Sequence, residues 1–135
     1  MAKFPYLVIP GKDRDVYKPW ISVNLDFPKT HKVTPLIWAL IDSGADNCLA
    51  SWEIGLWLGI KFKKQAIKTF TAANGQPFTG FQEKVRMFFS GEESFCDFYF
   101  SKSIPVKAPI ILGKSGFFDR HKVIFNLPEK ELEII

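Results

Sequence analysis

Asp42-Ser43-Gly44 follows directly on the apolar run Ala39-Leu40-Ile41 and precedes Ala45 and Asp46. An ionised carboxylate at the end of an apolar strand is costly unless it is hydrogen-bonded or has work to do. A carboxylate placed there can act as a general acid or base. Ser43 brings a donor and an acceptor with which to lock a turn. Gly44 lets the backbone bend sharply and approach a ligand or another chain. Taken alone, the tripeptide also fits an ordinary turn that closes a strand.

A second stretch changes that balance. Ala108-Pro109-Ile110-Ile111-Leu112 runs into Gly113, and Lys114-Ser115-Gly116-Phe117-Phe118-Asp119 follows. It is again an apolar strand, a glycine and a short helical turn. Between the two stretches lies Asn74-Gly75, a pair that favours tight hairpins. Other chemistries fit poorly. Gly113-Lys114-Ser115 resembles the end of a phosphate loop, but Ala108 stands where that loop needs glycine. Phe117 breaks a Gly-x-Ser-x-Gly elbow at its last position. His31 and His121 have no Cys or His at ligand spacing, so a metal site is not expected.

These residues need elements to hold them. Residues 20–27 alternate apolar with polar, the period of a half-buried strand. Residues 35–41 form a continuous apolar run, which predicts a strand buried on both faces. Residues 11–18 read as a polar loop. Residues 50–60 predict a short helix with Ser51 as N-cap, Ile54, Trp57 and Leu58 on one face and Gly59 at the C-cap. Residues 66–90 predict a hairpin turning at Asn74-Gly75 in type I′ geometry. Residues 94–100 alternate again, which puts Phe95, Phe98 and Phe100 in the core. Residues 109–112, a helical turn at 115–119 and a strand at 122–126 complete the chain. The total is about seven strands and two short helices, an all-β fold in the form of a small closed antiparallel barrel.

The 135 residues predict one domain, spanning 1–135, and 47% hydrophobic residues supply a core for it. No apolar run reaches the ~18 residues of a membrane span, and residues 1–10 lack a signal-peptide pattern. The net charge of +4 is spread out, with Lys61, Lys63, Lys64 and Lys68 as the densest cluster. A solvated face is the expectation there, rather than a nucleic-acid surface. Cys48 and Cys96 are too few for a disulfide scaffold. A reducing, cytoplasmic compartment fits them, with one buried bridge left open.

The apolar run ending in Asp42-Ser43-Gly44-Ala45-Asp46, the later Ile111-Leu112-Gly113 and the glycine-turned hairpin between them resemble the retropepsin-like aspartic proteases. These are the retroviral proteases and their single-domain cellular and prokaryotic relatives. The small prokaryotic members are the most similar. Their second motif commonly reads Ile-Leu-Gly-Arg-x-Gly-Phe-Phe-Asp before a Val-x-Phe strand. Here it stands as Ile111 to Asp119, followed by Val123-Ile124-Phe125. The resemblance covers roughly residues 20–126 and implies the fold of the acid proteases.

It also implies roles. Asp42 matches the catalytic aspartate, Ser43 the hydroxyl that braces the two active-site loops, and Gly44 the glycine that admits substrate. Ala45 and Asp46 fall on the substrate-binding side of the turn. Ala73, Asn74 and Gly75, with neighbours across residues 71–80, match the flap. The implied activity is hydrolysis of peptides or unfolded protein, without metal or cofactor. A chain with one such aspartate implies a homodimer with its site on the two-fold axis. The apolar termini, residues 4–9 and 132–135, are expected to help form that interface. Ser43 stands where Thr is commoner, Asn47 where some viral relatives carry a second acid, and Lys114 where relatives have Arg. Lys lacks the planar two-pronged geometry of Arg. The alternative reading is a retropepsin-like dimer that binds without cleaving.

Overall fold

The computed structural model describes residues 2–135. Its strands are β1 (Ala2–Pro5), β2 (Leu7–Ile9), β3 (Val16–Lys18), β4 (Trp20–Phe27), β5 (Lys32–Val33), β6 (Ile37–Ile41), β7 (Cys48–Ser51), β8 (Ile67–Thr71), β9 (Pro77–Phe89), β10 (Glu92–Ser101), β11 (Ile110–Leu112), β12 (Val123–Asn126) and β13 (Glu131–Ile134). One α-helix, α1 (Trp52–Trp57), and a single 3-10 turn at Lys64–Ala66 interrupt them.

Six strands close on themselves in the order β4-β6-β11-β7-β10-β9, and β9 returns to β4. Closure removes the free edges that would otherwise pair with other chains. The closing seam sets Leu25 against Met87 and Asp26 against Arg86. Arg86 donates to the buried Asp26 carboxylate at 2.9 Å, so the seam carries a paired charge. That contact raises the Arg86 pKa further above its ordinary value, and Glu93 contributes to the same effect. The barrel is mainly antiparallel, with parallel pairings of β6 with β11 and of β7 with β10.

The core fills the barrel from alternate positions of its strands. In β4, Ile21, Val23 and Leu25 point inward; in β10, Cys96, Phe98 and Phe100 do. Phe98, Phe100 and Phe117 are fully buried, each stabilising the fold by about 1.5–3 kcal/mol in transfer terms. Phe95 is 45% exposed. It belongs to the opposite phase of β10 from the other two phenylalanines, which corrects its expected place in the core.

Several local expectations hold and others change. Residues 20–27 form one strand as read, and Ser51 caps α1 by accepting from the Glu53 N–H at 3.2 Å. Gly59 follows the helix with a φ of +75°, and its N–H donates to the Leu56 carbonyl. Trp57, however, is 61% exposed; Ile54 and Leu58 alone of the expected trio face the core. Residues 35–41 are not buried on both faces, because Trp38 is turned outward. Residues 11–18 are not wholly loop: β3 pairs with β2 as a small ribbon outside the barrel. The segment after Gly113 is a series of turns rather than a helix.

The type I′ geometry expected at Asn74-Gly75 is found instead at the turn between β9 and β10. Ser90 and Gly91 both have positive φ, 50° and 75°, and join β9 to β10 as a two-residue turn. That is the type I′ pattern. At the other tip Gly75 is left-handed, with a φ of 82°, while Asn74 is not. The Gly75 N–H donates to the Ala72 carbonyl and the Ala72 N–H to the Gln76 carbonyl. The result is a three-residue loop with Gly75 at its left-handed end.

The termini form their own sheet. β13 lies between β1 and β12, with Leu132 opposite both Phe4 and Phe125. Leu132 and Ile134 are buried within the chain, whereas Val8, Ile9 and Ile135 of the apolar termini are exposed.

Candidate active site

β6 delivers Asp42 to the end of the barrel. The Asp42 N–H donates to the Leu112 carbonyl at 3.0 Å, which ties the strand end to β11. The chain then turns: the Ala45 N–H donates back to the Asp42 carbonyl at 3.2 Å. The Asp42 carboxylate accepts from the Gly44 N–H at 2.9 Å through Oδ1 and is half-buried. A Cβ on Gly44 would stand 3.2 Å from that oxygen, so a bare backbone suits the position. Ser43 and Gly44 are exposed at the apex.

The loop after β11 braces this turn. The Lys114 N–H donates to the Ala45 carbonyl at 2.8 Å and the Ser115 N–H to the Asp46 carbonyl at 2.9 Å. Asn47 and Ser115 then meet in a parallel bridge. Gly113 is indispensable here: a Cβ would lie 2.7 Å from the Ala45 carbonyl oxygen and nearer still to that of Asn47. Lys114 Nζ reaches Asp46 Oδ1 at 3.6 Å, but both side chains are largely exposed. A pair of that kind in solvent adds little stability.

The hairpin of β8 and β9 completes a pocket of about 340 Å³ beside the turn. Gly44, Ala45, Asp46 and Asn47 form one side of it, and Phe70, Thr71 and Phe78 the other, with Leu49 between. Phe70 and Phe78 are cross-strand partners whose rings stack at 5.2 Å, and Tyr99 meets Phe70 edge-on at 5.0 Å. Gly80 leaves room for this cluster, since a Cβ there would come 3.0 Å from that of Tyr99.

The expected substrate-binding residues therefore divide. Ala45 and Asp46 line the pocket. Ala73, Asn74 and Gly75 are exposed at the hairpin tip, beyond it; Asn74 borders a separate hollow with Ala72, Gln76 and Ile104. Leu49 and Phe70 lie outside the residues singled out from sequence. Their signal was the pairing of strands, Leu49 with Tyr99 and Phe70 with Phe78, which the local pattern does not carry.

The sequence matches no protein-family model and no curated protein. The fold does have solved counterparts. A retropepsin-like aspartic protease from Rickettsia conorii superposes over 100% of this chain and 99% of its own, with a TM-score of 0.61 at 16% identity. EIAV protease, solved with the inhibitor HBY-793, covers 72% of this chain and 82% of its own, with a TM-score of 0.53 at 18% identity. With the barrel, the turn after β6 and the glycine loop after β11, these likenesses show that the chain has the retropepsin-like fold.

Proposed function

We propose that the protein is an aspartic endopeptidase, active as a homodimer, that hydrolyses peptide bonds in peptides or unfolded protein. One observation carries this reading. An apolar barrel strand ends in a half-buried carboxylate, on a turn whose backbone is pinned from beneath while its Ser43-Gly44 apex is open.

In this reading two copies meet apex to apex, so that the Asp42 carboxylates face each other. Two carboxylates ~3 Å apart cannot both ionise, and they share one proton, as the dyads of aspartic proteases generally do. The ionised Asp42 takes a proton from a bound water as the water attacks the scissile carbonyl carbon. The protonated one donates to the carbonyl oxygen. The tetrahedral diol then collapses: the Asp42 that took the water proton passes it to the leaving nitrogen, and the other Asp42 recovers a proton from a diol hydroxyl as the new carboxyl group forms. Ser43 braces the facing turn, and Gly44, Ala45 and Asp46 run beside the substrate backbone. The hairpin tip at Ala73, Asn74 and Gly75 serves as the flap.

The test is cleavage of a peptide library between pH 3 and 8, wild type beside Asp42→Asn. The reading predicts cleavage that falls by at least about 100-fold in the variant, the scale of losing a general acid–base pair. Equal cleavage by both would overturn it. A folded dimer with no cleavage at any pH would favour the alternative, a dimeric binding module.

A further inference from the structure

Beneath the turn at Asp42 lie two sulfurs that the proposed hydrolysis does not use. Cys48 opens β7 just after the turn, and Cys96 lies in β10. Both are free thiols, fully buried, with their Sγ atoms 3.5 Å apart. The parallel register sets Cys48 opposite Phe98, so Cys96 is its diagonal neighbour on the same inward face.

The loop after β11 rests on this pair. The Gly113 N–H donates to Cys48 Sγ at 3.4 Å, and the Cys48 thiol donates to the Ser115 carbonyl at 3.5 Å. Gly116, with a φ of 109°, passes over both sulfurs; a Cβ there would stand 2.8 Å from Cys96 Sγ and 3.1 Å from Cys48 Sγ. The strands thus hold the sulfurs together, and the loop that braces the Asp42 turn is their lid.

We propose that Cys48 and Cys96 are a redox-convertible pair, a site of intramolecular disulfide formation directly under the candidate catalytic turn. Bonding requires the sulfurs to close from 3.5 Å to about 2.05 Å. The oxidant is a peroxide, small enough to reach a buried thiol through transient local opening of the fold. Cys48 reacts first. Hydrogen bonds from the Cys96 thiol and the Gly113 N–H favour its thiolate and lower its pKa, whereas Cys96, as donor to Cys48 and by burial, is pushed up. The Cys48 thiolate attacks one peroxide oxygen, the O–O bond breaks, and the departing hydroxide is protonated to water. The Cys96 sulfur then attacks the Cys48 sulfenic acid, and its thiol proton leaves with the hydroxyl as a second water. Two thiols and one hydrogen peroxide give one disulfide and two waters.

The disulfide ties β7 to β10 and draws Cys48 away from Gly113 and Ser115. It closes a long loop of chain, so the oxidised form should melt higher, by on the order of 5 °C. None of this depends on whether the protein cleaves peptides.

The test treats the reduced full chain with hydrogen peroxide in native buffer, then denatures and alkylates it. The expected result is a monomer lighter by about 2 Da, resistant to alkylation. A non-reducing peptide map should join Cys48 to Cys96, and dithiothreitol should restore both thiols. The melting rise should be absent in Cys96→Ala given the same peroxide. Two alkylatable thiols after peroxide, oxygen added to sulfur without cross-linking, a bond between chains, or an equal rise in Cys96→Ala would each overturn the proposal.

Discussion

The pocket has two walls built in opposite ways. On one side, the Lys114 and Ser115 N–H groups lock residues 113–116 to the Ala45 and Asp46 carbonyls, and the Asp42 N–H ties the turn to Leu112, over a buried pair of sulfurs. On the other, Phe70, Thr71 and Phe78 belong to a hairpin whose tip, residues 72–76, reaches beyond the pocket and is held by its own turn; a Cβ added to Gly75 would meet nothing within 4 Å. Both walls depend on a glycine, for different reasons. Gly113 is needed because backbone crowds it; Gly75 is needed because of its backbone angle alone. A fixed floor facing an unsupported arm is the arrangement expected where one side positions a reacting group and the other must admit a ligand.

The contrast can be broken by substitution. Gly113→Ala drives a methyl into the Ala45 and Asn47 carbonyls, neither of which can step aside. It should cost about 1–3 kcal/mol, lower the melting temperature and displace the Asp42 turn, so that any peptide cleavage falls with it. Gly75→Ala places a methyl in open space but strains a left-handed φ. It should cost about 1 kcal/mol and leave the turn at Asp42 undisturbed. Thermal melts of the two variants rank the walls, and the reverse ranking would end the comparison. Native-state amide exchange should agree, with the amides of Lys114 and Ser115 protected far longer than that of Gly75.

A smaller effect reports on the rim behind the floor. His121 packs against Phe89 and Phe117, and burial pushes its pKa below the ordinary 6.5. Glu92 opposes that shift while Arg120 adds to it. The unfolded chain therefore binds the proton more readily than the folded one. The stability His121 contributes is intact above pH 6.5 and is lost as pH falls through that value toward the folded pKa. Melts from pH 8 to 5 should show a decline that is shallower in His121→Leu.

Local pattern made much of this legible. The alternation of residues 20–27 is the whole of β4, and an apolar run ending in Asp42 and another ending in Gly113 mark the floor of the site. What escaped was set by partners distant in sequence. The β2–β3 ribbon has little core face: Val8, Ile9 and Val16 are apolar yet exposed, so apolar character there does not report burial, and no local pattern pairs the two strands. β13 does alternate, Leu132 and Ile134 inward, but nothing local says that its partner is β1 of the same chain. Asn74-Gly75 has the stronger hairpin composition, yet Ser90-Gly91 adopts the tighter turn because β9 and β10 pair without a residue to spare. Phe70 and Leu49 enter the pocket only through the strands beside them.

The central claim is that one site is made from two Asp42 carboxylates, one per chain. Mixing wild type with Asp42→Asn at constant total protein, after exchange of subunits, tests it most directly. If only wild-type pairs cleave, an equal mixture retains about a quarter of the wild-type rate, since pairing is random about the two-fold axis. A rate of about half, the value for chains that each carry a complete site, would contradict it.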